Sequence, residues 1–226
     1  MGDKNTMSLR TVPHQLEPAM TQASEGPRAL RSQLDKLTDL LVLRDGSVVR
    51  VRAIRSDDTA RLCAFHRKLS PDTIIFRFFH YVPELSLREA ERFTHVDYEK
   101  RMALIATTGE GETEQILGVV RYEGIDPDTA EVAFVVEDHW QGHGIATALL
   151  HRLAAFARQH GYTTFVAVTM GSNARMLEVL HNSGFPTTVH YADGEVEVRL
   201  DISQAIEDST ETGTTESSSG KASATS

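Results

Sequence analysis

Hydrophobic residues recur along the chain in short runs, or in alternation with polar residues, in a pattern typical of β-strands. The predicted strands cover residues 48–54, 102–106, 116–122, 131–136, 165–169, 187–191 and 195–200. The links that join the second, third and fourth of these segments in turn are polar and rich in Gly or Pro, which predicts hairpin-like connections. Asp193 and Gly194 separate the last two segments and are typical of a type I′ hairpin turn.

Four other segments place their hydrophobic residues at the spacing of an amphipathic helix. These predicted helices begin near residues 56, 86, 144 and 172. We predict that Ser56 caps the first helix, that Ser86 and Glu89 form a capping box on the second, and that Gly184 ends the fourth. The predicted order β-α-α-β-β-β-α-β-α-β-β indicates a single α/β domain, in which helices flank one mixed sheet.

Composition and charge narrow the class of protein. Of 226 residues, 40% are hydrophobic and 24% charged, which is typical of a globular protein. The single cysteine, Cys63, rules out an internal disulfide and fits a reducing cytoplasm. No apolar run approaches the roughly 18 residues of a membrane helix, and the net charge of -9 disfavours broad binding to nucleic acid. We therefore expect a cytoplasmic protein with neither a membrane nor a nucleic acid as partner.

Both ends of the chain differ from its middle in composition. The first 27 residues lack apolar periodicity, and residues 1–42 are predicted to form a flexible N-terminal arm with a possible short helix. Residues 43–202 carry the predicted strands and helices and form the expected domain. In residues 203–226, 12 of 24 are Ser or Thr, which predicts a disordered tail because such a segment buries too little apolar surface.

The segment 141–146, Gln-Gly-His-Gly-Ile-Ala, follows a predicted strand and opens a predicted helix. Its glycines allow close approach of a ligand to the backbone, and the free N–H groups of a helix start suit a pyrophosphate. A dinucleotide fingerprint fits poorly, because Thr147 stands where the third glycine belongs and the next strand carries no acidic residue. A Walker loop lacks its Gly-Lys-Ser/Thr. A glycine-rich turn without a ligand remains the alternative.

Gln141, Gly144 and Ala146 match the pattern Gln/Arg-x-x-Gly-x-Gly/Ala, which resembles the acetyl-CoA loop of the GNAT acetyltransferases. The predicted order of elements over 43–202 is also similar to the GNAT fold. The resemblance implies acetyl-CoA as co-substrate. The implied contacts are Phe134, Val135 and Val136 on the strand, Gln141, Gly142, His143, Gly144, Ile145, Ala146 and Thr147 in the loop, and Asn173 and Met176 beyond the next strand.

The resemblance also implies how these residues act. Backbone groups of Phe134 and Val136 are expected to pair with pantetheine like an added strand, and one of the amides is expected to polarise the thioester carbonyl. Asn173 either bonds the co-substrate or caps a helix, and the two roles are compatible. The ten histidines show no metal-ligand spacing, so we expect no metal.

Glu131 is the candidate general base. It is an acidic residue within an apolar strand, ten residues before Gln141. Amide formation needs a neutral amine, whereas a lysine with a pKa of about 10.4 is mostly protonated near pH 7. A positioned carboxylate can accept that proton, and the GNAT resemblance puts the general-base glutamate at this place. The alternative is a glutamate at an exposed strand edge without a catalytic role.

A narrower resemblance suggests the acceptor. Residues 69–106, together with Asn173, Met176 and Leu177, resemble bacterial Pat-type protein lysine acetyltransferases. That implies a lysine side chain of a target protein as acceptor, with acyl-CoA synthetases as the implied targets. The alternatives are a small-molecule amine N-acetyltransferase and a non-catalytic acyl-CoA-binding sensor domain. Leu180 stands where many small-molecule GNAT enzymes have a tyrosine that acts as the general acid.

Arg77 lies among apolar residues in the sequence. It is predicted to form either an ion pair or part of the entrance for the acceptor lysine.

Overall fold

An eight-stranded sheet forms the centre of the part of the chain described here, Leu34 and residues 37–205 of a computed structural model. The strands are β1 (Asp39–Val42), β2 (Val48–Ala53), β3 (Arg101–Thr108), β4 (Gln115–Gly124), β5 (Thr129–Val136), β6 (Thr164–Met170), β7 (Thr187–Ala192) and β8 (Glu195–Asp201). Their spatial order is β1-β2-β3-β4-β5-β6-β8-β7. Only β5 and β6 run parallel, and every other neighbouring pair is antiparallel.

Helices cover both faces of the sheet. They are α1 (Thr59–His66), α2 (Pro71–Phe78), α3 (Leu87–Thr94), α4 (Ile145–Gln159) and α5 (Ala174–His181). The apolar stripe of α4 packs on one face of the central strands and forms the larger hydrophobic core. Residues of α1, α2 and α3 pack on the opposite face and form the smaller core.

The alternation of side chains along β5 connects these two cores. Ala130, Val132, Phe134 and Val136 belong to the core beneath α4, whereas Val135 packs against the core on the other face. Successive side chains of a strand point to opposite faces, so Glu131 lies on the face of α1, α2 and α3. The candidate base and the helix that carries Arg77 therefore share one side of the sheet.

The predicted elements are largely confirmed. All seven predicted strands are present, with ends that differ by at most two residues. The capping box of Ser86 and Glu89 begins α3 as expected. The cap at Ser56 is wrong, because a short 3-10 turn precedes α1 and the side chain of Asp58 bonds the backbone N–H of Arg55 there. The fourth helix begins at Ala174, two residues later than predicted.

Two elements were absent from the sequence prediction. Strand β1 lies inside the segment predicted as the N-terminal arm over 1–42, so the folded domain begins at least four residues earlier than residue 43. Helix α2 was also missed, although Ser70 caps it and Pro71 occupies its first turn. The rest of the predicted arm, apart from Leu34, 37 and 38, and the tail over 206–226 lie outside the described residues. No helix within the described part is long and apolar enough to cross a membrane.

Candidate active site

Strands β5 and β6 separate after a short stretch of pairing. Their parallel register comprises Thr129 with Thr164, Ala130 with Phe165, and Glu131 with Val166. Beyond Glu131, β5 continues to Val136 and β6 to Met170 without further pairing between them. The result is a gap in the sheet that opens toward the carboxyl ends of both strands, and Glu131 is the last paired residue before it.

The backbone of β5 presents free polar groups to this gap. The amide of Glu137 donates to the carbonyl of Leu117 on β4 at 2.8 Å. Because the polar groups of an antiparallel strand alternate in direction, those of Val135 point toward β4 and those of Phe134 and Val136 point into the gap. The carbonyl of Val136 accepts a hydrogen bond there from Gln141 Nε2 at 3.0 Å. The amides of Phe134 and Val136 face the position where an extended ligand can pair.

The start of α4 lies at the open end of the gap. Gly144 is its N-cap residue with φ of 92°, a left-handed conformation that glycine adopts without strain. No side chain of the described residues caps this helix, so the first amides of α4, at Ile145, Ala146 and Thr147, lack helical partners. The positive end of the helix dipole adds to these donors. The side chain of Ile145 is buried in the core, which holds the first residue of the helix in place.

Close packing fixes the position of this helix start. Gly118 on β4 lies beneath it, and a Cβ at that glycine would meet Ile145 Cγ2 and Val136 Cγ2, each at 3.2 Å. That distance is tighter than an ordinary van der Waals contact. The absence of a side chain at Gly118 therefore allows the end of β5 and the start of α4 to approach β4 together.

Gln141 acts as a connector inside the protein. Its Nε2 donates to Val136 O and, at 3.3 Å, to Thr73 Oγ1 on α2, while its Oε1 accepts from Arg175 Nη1 at 2.6 Å. Gly142 is exposed with φ of 82°. The structure thus places Gln141 in the loop as predicted, with its amide group bonded to three other protein residues.

Asp138, which precedes this loop in the chain, connects it to the start of α2. Its carboxylate accepts from the Ser70 amide at 2.9 Å, from Ser70 Oγ at 2.7 Å and from Thr73 Oγ1 at 2.8 Å. Burial alone would raise the pKa of Asp138, but these hydrogen bonds outweigh it and hold the pKa below its usual range. Ser70 and Thr73 begin α2, so the helix on the Glu131 face and the loop are joined by one polar network.

Asn173 is the cap of α5. Its Oδ1 accepts from the amide of Met176 at 3.1 Å and its Nδ2 donates to Thr169 Oγ1 at 3.2 Å. The residue is buried, with 8% of its surface exposed. Of the two roles considered for Asn173, helix capping is confirmed, and its contact with the co-substrate stays a prediction, as does that of Met176.

The turn between β1 and β2 supplies a cation that the sequence prediction missed. Arg44 Nε lies 3.9 Å from the position that a Cβ of Gly144 would occupy. The neighbouring Asp45 Oδ2 is 3.4 Å from His143 Nε2, a contact that becomes an ion pair when the imidazole is protonated. Residues 44 and 144 are far apart in sequence, so no local motif could indicate this contact.

Charge on the Glu131 face is uneven. Glu131 is exposed, and the guanidinium of Arg77 on α2 lies close enough to respond to it. Burial lowers the pKa of Arg77, and the negative charge of Glu131 partly offsets that effect.

Among the described residues, no group of three or more His, Cys, Asp or Glu side chains is placed to hold a metal ion.

Comparison with known proteins identifies the architecture. Residues 49–186, more than half of the chain, match the family described as acetyltransferase (GNAT) domain. The chain is 30% identical over 144 residues to the acetyltransferase PA5475 of Pseudomonas aeruginosa, covering 63% of this chain and 77% of that protein. It is 28% identical over 144 residues to the acetyltransferase Pat of Mycolicibacterium smegmatis, covering 63% of this chain and 42% of that longer protein.

A solved structure agrees with these sequence matches. The GNAT domain of S. lividans PAT is 37% identical and superposes with a TM-score of 0.69, covering 74% of this chain and 97% of that one. The mixed sheet with its single parallel pair, the divergence of β5 and β6 and the uncapped glycine start of α4 thus occur together with a family match over residues 49–186. The chain belongs to the GNAT family of acetyltransferases.

Proposed function

We propose that this protein transfers the acetyl group of acetyl-CoA to the side-chain amine of a lysine in a target protein, with Glu131 as general base. The observation that carries the proposal is the end of β5–β6 pairing at Glu131. This geometry puts a carboxylate at the closed end of a gap whose sides offer unpaired backbone groups. A donor in the gap and an amine arriving from the Glu131 face would meet at that point.

The donor half of the proposal rests on β5 and α4. Pantetheine would lie along β5 and pair with the backbone of Phe134 and Val136, as an added strand does. The pyrophosphate would lie on the amides at the start of α4, next to Gly142 and Gly144. The loop residues His143, Ile145, Ala146 and Thr147 would surround it, and Arg44 adds a positive charge on the open side.

The acceptor half rests on Glu131. Its carboxylate would accept a proton from the lysine ammonium, directly or through one water, and release the neutral amine. The amine nitrogen would then bond to the thioester carbonyl carbon, the C–S bond would break, and CoA would leave as a thiolate. The nitrogen would lose its second proton to solvent, and the thiolate would take one up, which gives the amide and CoA. An amide of β5 in the gap would stabilise the negative charge that develops on the carbonyl oxygen.

The choice of a protein lysine as acceptor is supported by the similarity to the two Pat proteins named above. Acyl-CoA synthetases are proposed as targets from the resemblance of residues 69–106 to Pat-type enzymes. Leu180 stands where a small-molecule GNAT enzyme often has a tyrosine, so we assign no side chain as the acid that protonates the leaving thiolate.

The decisive experiment incubates the protein with radiolabelled acetyl-CoA and a cell lysate, and measures label in protein and in small molecules separately. We expect label in protein, at lysine by mass spectrometry, including a purified acyl-CoA synthetase offered as substrate. Label confined to small amines would replace the proposal with the small-molecule alternative. Binding of acetyl-CoA without any transfer would indicate the sensor domain.

A further inference from the structure

A small cavity of about 30 Å³ lies on the Glu131 face, between the helices and the sheet. Two arginines line it, Arg77 from α2 and Arg121 from β4, among apolar side chains that include Phe93 and Val135. Arg121 pairs with Ala133 in the sheet register, two residues from Glu131 along β5. With a rise of about 3.3 Å per residue and strands about 4.8 Å apart, the Cα atoms of Arg121 and Glu131 are about 8 Å apart.

The two guanidinium groups lack an anionic partner. Within the part of the chain that the structure describes, neither Arg77 nor Arg121 forms an ion pair. Arg121 Nη2 donates to the Phe93 carbonyl at 3.0 Å, and its guanidinium carbon stands 4.5 Å from the centre of the Phe93 ring. Arg77 stands 5.1 Å from the centre of the Phe78 ring. Aromatic faces offset part of the cost of burying each charge, and they supply no negative charge.

Two half-buried charges of the same sign raise each other's free energy. Burial lowers the pKa of Arg121 to about 9, and the positive charge of Arg77 is the next largest cause. Glu123 and Glu131 lie near enough to act on Arg121 and Arg77 respectively, and Arg92 and Arg101 add further positive charge. Positive charge therefore exceeds negative charge around the cavity. An anion placed between the two arginines would relieve this repulsion.

We propose that the Arg77–Arg121 cavity binds a carboxylate of the acceptor, so that the preferred substrate carries an acidic group close to its reactive amine. The proposal rests on the function proposed above, because it assigns the acceptor to the Glu131 face. A guanidinium donates two parallel hydrogen bonds to a carboxylate. The small volume of the cavity admits such a group and excludes a large side chain.

The nearest source of that carboxylate is a Glu or Asp neighbouring the target lysine. Consecutive Cα atoms are about 3.8 Å apart, so an acidic residue one or two positions from the lysine lies within about 8 Å of it, a span similar to that between the Cα atoms of Glu131 and Arg121. The α-carboxylate of a free amino acid offers the same chemistry. The two sources are distinguished below by their activity as acceptors.

The first experiment compares lysine peptides that differ only by Glu or Gln at one of the two positions on either side of the lysine. We expect Glu at one position to raise kcat/KM about tenfold over Gln, the gain typical of a charge-assisted hydrogen bond. Arg121→Met and Arg77→Met should each reduce the Glu-to-Gln ratio to about one, whereas Arg199→Met, a change at an exposed residue of β8, should preserve it. A ratio near one at every position in the unaltered protein, or an unchanged ratio in both cavity variants, would overturn the proposal. Free lysine that outperforms every peptide would assign the carboxylate to an amino acid.

A second experiment needs no catalysis and separates this inference from the proposed function. It compares the melting temperature of the protein with N-acetyl-glutamate α-amide and with the matched glutamine compound at equal concentration and ionic strength. A ligand that binds the folded state raises the melting temperature, so we expect a larger rise with the glutamate compound, lost in Arg121→Met. An equal rise with the two compounds would show that the cavity binds no carboxylate. Because Arg121→Met removes one of two repelling, half-buried charges, we also expect it to fold at least as stably as the unaltered protein.

Discussion

Glu131 and Glu123 face each other across β5 and β4, which provides two exposed glutamates on the same face of the sheet. Only Glu131 borders the gap. Glu131→Gln keeps the shape and removes the proton acceptor, so turnover at pH 7 should fall by roughly 10²–10⁴, the range for a positioned general base. The loss should shrink as the pH rises, because more of the acceptor lysine is then already neutral. The measurement is a pH–rate series with a lysine peptide.

The matched control for this prediction is Glu123→Gln. It makes the same chemical change one strand away and should leave turnover close to that of the unaltered protein. Affinity for acetyl-CoA should be preserved in both variants, because the backbone of β5 is unchanged. An equal turnover of the Glu131 and Glu123 variants would remove Glu131 from the mechanism.

Gly144 offers a second test at the scale of one residue. Gly144→Glu puts bulk and negative charge at the start of α4, where we propose that the pyrophosphate lies. Calorimetry should show a loss of CoA affinity of at least tenfold, with the fold retained. Gly194→Glu is the control, since Gly194 has a similar φ of 84° with open space around it on the β7–β8 turn. CoA binding within twofold of the unaltered protein in Gly144→Glu would contradict the assignment of this loop.

At the scale of elements, a buried cluster of charges joins β2, α1 and the β3–β4 connection. Arg52 donates two hydrogen bonds to Asp58, at 2.7 and 2.8 Å, and two to Glu114, at 3.0 and 2.9 Å. The Asp58 side chain is fully buried. Asp58→Ala leaves Arg52 short of a partner and should reduce the free energy of unfolding by about 3 kcal/mol. Denaturant unfolding measures this, with the exposed Glu110→Ala as a control that should change little.

The same cluster predicts a dependence of stability on pH. Hydrogen bonds from Arg52 hold the pKa of Glu114 below its usual range, and for Asp58 they outweigh the opposing effect of burial. A carboxylate with a lowered pKa stabilises the fold above its unfolded-state pKa, near 4, and this contribution is lost as the pH falls through the folded-state pKa. The melting temperature should therefore fall below about pH 4, and the fall should be smaller in Asp58→Ala.

The sequence predicts those elements whose signal is local. Alternation and capping residues were sufficient for seven strands and for the capping box at Ser86. Strand β1 reads Asp-Leu-Leu-Val, a short apolar run without alternation, which does not distinguish a strand from a helix, and its pairing with β2 is what makes it a strand. Helix α2 shows the cap Ser70 and Pro71, but its dense apolar run hides the helical stripe.

The residues of the candidate site also fall into two groups, those with a local signal in the sequence and those without one. The loop at 141–146 has a local pattern, because a glycine turn and a helix start follow each other directly in the chain. The hydrogen bonds that Gln141 donates to Thr73 and accepts from Arg175, and the approach of Arg44 to Gly144, join residues that are distant in sequence. One sequence without the fold contains no sign of such contacts, so they could not be predicted.

At the scale of the whole molecule, the gap between β5 and β6 interrupts an otherwise continuous eight-stranded sheet. Acetyl-CoA lying in it would pair with β5 and connect the two halves of the sheet through bound ligand. We therefore expect acetyl-CoA to raise the melting temperature and to slow hydrogen exchange of the amides of Phe134 and Val136. The neighbouring amide of Val135 already faces β4 and serves as an internal reference whose exchange should change less.

Thr73 Oγ1 donates to Asp138 and accepts from Gln141, so this hydroxyl, together with the bonds of Ser70 to Asp138, joins α2 to the loop at the start of α4. Binding of acetyl-CoA at that loop would therefore restrain α2, the helix that carries Arg77, before any acceptor binds. In kinetic terms this favours an ordered sequence of addition, with acetyl-CoA first and the amine second. Thr73→Val removes the bonds to Asp138 and Gln141 with little change of shape and keeps those of Ser70, so the connection is weakened and initial-rate patterns should shift toward random addition.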